Sequence, residues 1–350
     1  MKWPCALMLW LCLCLVPLQP QAQTDELSIA AIAFPSSAPL FLAKELGYYA
    51  DENLEVTFQF FDAAQPIAIS VANRQADVGA TAFTAGFYNL AAKDTLRVIA
   101  AQSREEPGYR FLAYVASKSA WKKGLRHPED LPGHSLAITQ IGSSFHLMAG
   151  LLAQEKGFDI SEIELIPRER VTQMIEAIRS NDADATILPA PHARRLEAEE
   201  AGRIIGWVSE ETPYQLGGIF TSRHLAEEEP ETVRRFLKAY LRAARDYAEA
   251  FHHRRGQDRP ASENSERLAE LLQHYIDASP QALRAGASYV DPEGRLDVGS
   301  IYQQVEWYRS AGLLDPDTDP SSFLDLSFIE GHYNLPEGLQ PGSRDDKTEY

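Results

Sequence analysis

All three cysteines of this 350-residue chain, Cys5, Cys12 and Cys14, crowd into its first fourteen residues. Once that stretch is removed no thiol remains, which excludes disulfides, thiolate-bound metal and a cysteine nucleophile. Long apolar runs are equally scarce: beyond residue 22 no segment approaches the roughly 20 consecutive apolar residues that a spanning helix needs. Positive charge is in short supply too, with 33 Lys and Arg against 50 Asp and Glu and a formal net charge of −17. A surface of that sign repels nucleic acid and anionic lipid and favours solubility. It leaves open the charge of a small ligand in a cleft, where local donors decide.

Motifs of catalysis are missing as well. A serine hydrolase wants a Gly-x-Ser-x-Gly elbow and the chain offers only "GSSFH" from Gly142. No Walker-type phosphate loop is present. The nine histidines form no pair at helical ligand spacing with an acidic partner. Neither a catalytic residue, a metal nor a cofactor is expected.

What is present begins with a leader. Met1-Lys2 precedes the apolar core "ALMLWLCLCLV" and then "PLQPQA", ending in small Ala22. That is the layout of a secretory signal peptide, residues 1–22, too short to span a membrane. A lipid anchor on Cys12 or Cys14 is disfavoured because "LWLC" and "CLC" lack small residues before the cysteine. Loss of Lys2 leaves 32 basic residues against 50 acidic ones, a mature charge of −18.

Apolar strand patterns then alternate with helical ones: "LSIAAIAF", a helix from Ser37, "LEVTFQFF", a helix Ala64 to Asn73, "ADVGATA", a helix to Ala92, and "LRVIAAQ". The second half repeats the scheme with "HSLAITQ", "SSFHLMAGLLAQEKG", "IELIP", "VTQMIEAIRS" and "ADATIL". This order predicts an α/β fold of parallel βαβ units in two lobes. Asn73-Arg74-Gln75-Ala76-Asp77 superposes on Ser180-Asn181-Asp182-Ala183-Asp184, in keeping with a repeat. From Glu231 the pattern is helical, "RRGQDRPASEN" reads as a solvated loop, and residues 339–350 read as a disordered tail.

Ligands of open α/β sheets gather where strands hand over to helices. Four such junctions carry short hydroxyls or glycine: Ser36-Ser37, Thr81 with Thr84, Gly142-Ser143-Ser144, and Thr172. Plain N-capping explains any one of them; four facing one crevice point to a binding site. Arg168, and less so Arg170, would place a guanidinium at the rim for a sulfonate or carboxylate, with solvated surface charge as the alternative. Phe83, Phe145 and Tyr214 are candidates to stack on a ring, or to pack the core. Pro189 and His192 follow the last strand of the second lobe, which also opens on the cleft.

"APLFLAKELGYYADENLEV" from Ala38, with "ANRQADVGAT", "RSNDADATIL" and "EDLPGHSLAI", resembles the bacterial solute-binding proteins for taurine, alkanesulfonates, nitrate and thiamine pyrimidine precursors. Asn53 stands where that family usually has glycine, a mild departure because Asn tolerates the left-handed region. The resemblance implies a two-lobed type 2 periplasmic-binding-protein fold with a helical C-terminal region. Lobe 1 would comprise 25–112 plus 215–338, lobe 2 113–214, with the hinge at "FLAYVAS" and "YQLGGIF". It also implies a periplasmic monomer that captures a small-molecule solute for an inner-membrane ABC permease and its cytoplasmic ATPase. The expected solute is a small organic anion. An exported lyase-like enzyme, a pyrimidine-precursor binder and a receptor-presenting sensor are the alternatives; the related fungal pyrimidine synthases use a cysteine-rich cluster, missing here.

Overall fold

The computed structural model describes residues 24–252 and 261–336. The expected leader, most of the polar loop and the expected tail lie outside the described residues. No helix among the described residues is long and apolar enough to cross a membrane.

Ten strands form two five-stranded sheets. The strands are β1 (Asp25–Ala31), β2 (Leu54–Phe60), β3 (Val78–Ala82), β4 (Leu96–Glu105), β5 (Leu112–Ser117), β6 (Ser135–Ile138), β7 (Glu164–Pro167), β8 (Ala185–Pro189), β9 (Gly202–Trp207) and β10 (Tyr214–Ser222). Their orders, β2-β1-β3-β10-β4 and β7-β6-β8-β5-β9, follow one plan. Each sheet holds one strand against the grain, β10 in the first and β5 in the second. The sheets are therefore mixed, where the alternating pattern predicts purely parallel ones. The cause lies in the connections: the chain leaves the first sheet after β4 and returns at β10, and each strand that follows a crossing enters its new sheet antiparallel.

The sequence repeat has a bonded counterpart. Asp77 Oδ2 accepts from the backbone N–H and hydroxyl of Ser28, both at 2.7 Å, and Asp184 Oδ2 accepts from the Ser135 N–H at 3.1 Å. In return the Ser28 and Ser135 hydroxyls accept from the N–H groups of Asp77 and Asp184. Both pairs are separated by 49 residues. Each carboxylate ties the turn before β3 or β8 to the neighbouring strand, mid-β1 in one copy and the start of β6 in the other.

Helices cover both sheets because β1, β3, β5 and β8 are apolar on both faces, as central strands of covered sheets must be. Gly47, at φ +76°, ends the helix Ala38–Glu45 in the left-handed region, and Asn53 adopts the same region at φ +55°. Glu45, a charge inside that helix's apolar stripe, accepts from the Tyr275 hydroxyl at 2.6 Å.

The C-terminal helices touch both halves of the molecule. In the helix Val298–Ser310, Gln304 Oε1 accepts from the Tyr88 hydroxyl at 3.1 Å on one side. On the other, the Tyr308 hydroxyl donates to the Ser143 carbonyl at 3.0 Å, and Trp307 lies where a Gly150 side chain would be, 2.0 Å from an ideal Cβ.

Candidate functional site

A cleft enclosing about 660 Å³, counting the space open at its mouth, lies between the two sheets. Its walls are segments that follow β1, β2, β3, β6 and β7, together with Ala80, Thr81 and Ala82 of β3, Gln102 of β4, the crossing residues Phe111 and Leu112, and Leu216 of β10. Three helices begin at it. The helix Ala64–Ala72 presents Ala64 and Gln65, Ser144–Lys156 presents Ser144 and Phe145, and Val171–Ser180 presents Val171. The residues before the first and third of these, Ala63 and Arg170, supply no side-chain cap, so the leading N–H groups there have no side-chain acceptor. Their dipoles set a positive potential in the cleft.

No charged side chain lines it. The polar groups are hydroxyls and amides: Ser36, Thr81, Thr84, Ser143 and Ser144, with Gln65, Gln102, Thr139 and Gln140. Apolar surface comes chiefly from Ile32, Phe34, Phe111, Leu112, Phe145, Met148, Val171 and Leu216.

The hydroxyls differ in what they have left to give. Thr84 Oγ1 caps its helix by accepting from the Phe87 N–H at 3.0 Å, and donates to Gln65 Oε1 at 3.2 Å. Ser143 likewise caps, accepting from the His146 N–H at 3.3 Å. Ser36 and Ser144 line the cleft with hydroxyls that make no side-chain hydrogen bond among the described residues. Thr81 is the clearest case: it is 3% exposed and its Oγ1 has no partner among the described residues. A buried hydroxyl left unpaired costs about 1–3 kcal/mol, a deficit that a bound acceptor or donor would remove.

Several residues marked out by the sequence stand elsewhere. Ser37 sits behind Ser36, its Oγ accepting from Gln102 Nε2 at 3.1 Å. Phe83 is fully buried and packs on Phe87 at 4.9 Å between ring centres, in the core. Gly142 acts through its backbone, its N–H donating to His146 Nδ1 at 3.1 Å and its carbonyl accepting from Ala85. Burial lowers the pKa of His146 and favours the neutral ring that can accept this bond.

Arg168 Nη2 donates to the Asp182 carbonyl at 3.3 Å, and Arg168 is no part of the wall. Pro189 is buried beside Leu112 at the end of β8. His192 packs edge-on against Phe34 at 5.9 Å, with its pKa lowered by burial. Tyr214 is buried at the start of β10, opposite Glu105. Thr172 is exposed, one place beyond the lining residue Val171.

The glutamines went unread in the sequence. A search for hydroxyls at strand–helix junctions passes over "DAAQP", where Ala63 and Ala64 leave the backbone bare and Gln65 supplies the polar group. Thr139 and Gln140 lie inside "LAITQI", just before the Gly142-Ser143-Ser144 junction.

Comparison with known proteins agrees with this architecture. SsuA of Xanthomonas axonopodis pv. citri, an alkanesulfonate-binding protein solved bound to MOPS, is 18% identical with a TM-score of 0.67, covering 87% of this chain and 99% of that one. The aliphatic sulphonate-binding SsuA of Escherichia coli is 16% identical with a TM-score of 0.64, over 93% and 98%. The nitrate-binding NrtA of Synechocystis PCC 6803 is 13% identical with a TM-score of 0.65, over 85% and 84%. These likenesses fix the periplasmic-binding-protein fold. The sequence matches no curated protein. Residues 34–250 match the family described as NMT1/THI5 like, and the chain belongs to that family.

Proposed function

We propose that this chain captures a small organic anion in the cleft and delivers it to an inner-membrane ABC permease driven by a cytoplasmic ATPase, acting in the periplasm as a monomer without chemistry of its own. The observation that carries this reading is the pairing of Thr81's unpartnered, buried hydroxyl with helix starts in a wall free of charged side chains. Donors without counter-ions suit a sulfonate or carboxylate head, and Phe34, Phe111, Phe145 and Met148 suit an apolar or aromatic body.

Residues 25–112 with 215–338 form one lobe in this reading, and 113–214 the other. The solute touches both only when the cleft is shut, so it favours closure by its differential affinity. A neutral pyrimidine precursor is the second reading, favoured by Gln65, Gln102 and Gln140, whose amides offer donors and acceptors alike.

The test is a thermal-shift panel on protein refolded free of carried-over ligand, with MOPS, ethanesulfonate, nitrate, benzoate and 4-amino-5-hydroxymethyl-2-methylpyrimidine. Ligand at a hundred times its Kd adds about 2.7 kcal/mol. A rise confined to the organic anions supports the first reading and one confined to the pyrimidine the second; chemical alteration of the recovered ligand would overturn both in favour of an enzyme.

A further inference from the structure

Gln65 and Gln140 belong to opposite walls of the cleft, the first in the opening turn of the helix Ala64–Ala72, the second just after β6. Gln140 Nε2 donates to Gln65 Oε1 at 3.3 Å, and the Thr84 hydroxyl donates to the same oxygen at 3.2 Å. Two residues on, the Gly142 carbonyl accepts from the Ala85 N–H at 2.9 Å. The approach is close enough that a Cβ on Gly142, which has φ +81°, would stand 3.1 Å from that of Ala85. Gly86 completes the seat: a Cβ there would lie 1.9 Å from the Gln65 amide, which rests across the start of the helix Ala85–Ala91.

We propose that Gln65 and Gln140 are positioning residues for capture, a latch whose strength sets how readily the walls meet. The inference rests on the reading of the cleft as a ligand trap. With its oxygen held by Thr84 and Gln140, the Gln65 amide is fixed in orientation. Its Nε2 makes no hydrogen bond among the described residues, and because Gln65 lines the cleft an acceptor on the solute takes that donor. Occupancy and latching then use opposite ends of one side chain.

The Ala85 N–H is a built-in reporter. At the first position of its helix it has no partner within the helix, and its bond to Gly142 exists only while the walls touch. Hydrogen exchange is followed on the exported protein with no ligand added. Gln140→Leu is expected to speed Ala85 exchange about fivefold, the worth of one neutral hydrogen bond. The Phe87 N–H, held by Thr84 within its own helix, stays unchanged.

Gln65→Leu should match Gln140→Leu, whereas Gln65→Glu keeps an acceptor oxygen and should keep Ala85 protected. Equal Ala85 exchange in Gln140→Leu and the parent overturns the proposal. So does loss of Phe87 protection alongside it, which marks a loosened helix, and so does a Gln65→Glu variant as fast as Gln65→Leu. Because no ligand enters, a blank ligand panel and a failed latch are separate results.

Discussion

Glu105 and Tyr214 face each other across β4 and β10, both almost wholly buried, and neither the carboxyl oxygens nor the phenol has a hydrogen-bond partner among the described residues. Burial pushes the Glu105 pKa well above the usual carboxylate range; the N–H groups of Leu112 and Ser209 lower it in part but fall short of hydrogen-bond geometry. Burial at the crossing between the sheets thus favours the protonated, neutral form of this acid.

That neutrality has a sign in pH. The unfolded chain loses this proton near the ordinary glutamate pKa of about 4.3, while the folded chain keeps it. The stabilising contribution is complete below the unfolded pKa and declines as pH rises towards the raised folded value. Glu105→Gln should flatten the decline, so urea midpoints at pH 5 and pH 8 lie closer together in the variant than in the parent. Identical differences in the two proteins would refute a protonated Glu105.

Thr81→Val exchanges the orphan hydroxyl for a methyl group of similar shape. Unliganded stability should hold or rise, because a buried unsatisfied oxygen is removed. Affinity for whichever panel ligand binds should fall roughly tenfold, about 1.4 kcal/mol. Calorimetric titration beside a melting curve separates the two effects, and unaltered affinity would remove Thr81 from the contact surface.

Gly150→Ala drives a methyl group into the Trp307 ring. Overpacking of this kind costs about 1–3 kcal/mol. Urea denaturation should show that loss; a neutral substitution would mean the helix Val298–Ser310 readily shifts away from the second sheet's helix.

Asp77→Ala removes the acceptor of the Ser28 N–H and hydroxyl, and Asp184→Ala that of the Ser135 N–H together with the His134 Nδ1 contact at 3.2 Å, so at these equivalent turns each should cost about 2 kcal/mol, the scale of hydrogen bonds to a carboxylate. Paired denaturation curves test this. A severalfold disparity would mean that the two copies share geometry without sharing their load.

Much of the scaffold was legible because periodicity and turn chemistry are local. "LSIAAIAF" announced β1, and Gly47 and Asn53 announced turns needing positive φ. Strand direction was not legible: "FLAYVAS" and "YQLGGIF" carry apolar patterns that read alike either way, and only the crossings make β5 and β10 antiparallel.

In the site, Ser36, Thr81, Ser144 and Phe145 were legible because small or apolar residues at strand ends mark a crevice. Phe83 and Arg168 were not, since a side chain's destination depends on partners distant in sequence, Gly218 beneath the ring and the Asp182 carbonyl beside the guanidinium. Gln65 gave no signal alone; its role needs a loop 75 residues away.

The strand order carries a consequence for how the molecule is made. β10 lies between β3 and β4 and bonds to both. Until residues 214–222 arrive, β4 has no neighbour in its own sheet, so the first hundred residues cannot close a finished layer. Long-range pairing of this kind makes folding slow. A chain that emerges from its N-terminus therefore stays pliant until well past its middle, and its first layer is exposed to proteases until β10 arrives.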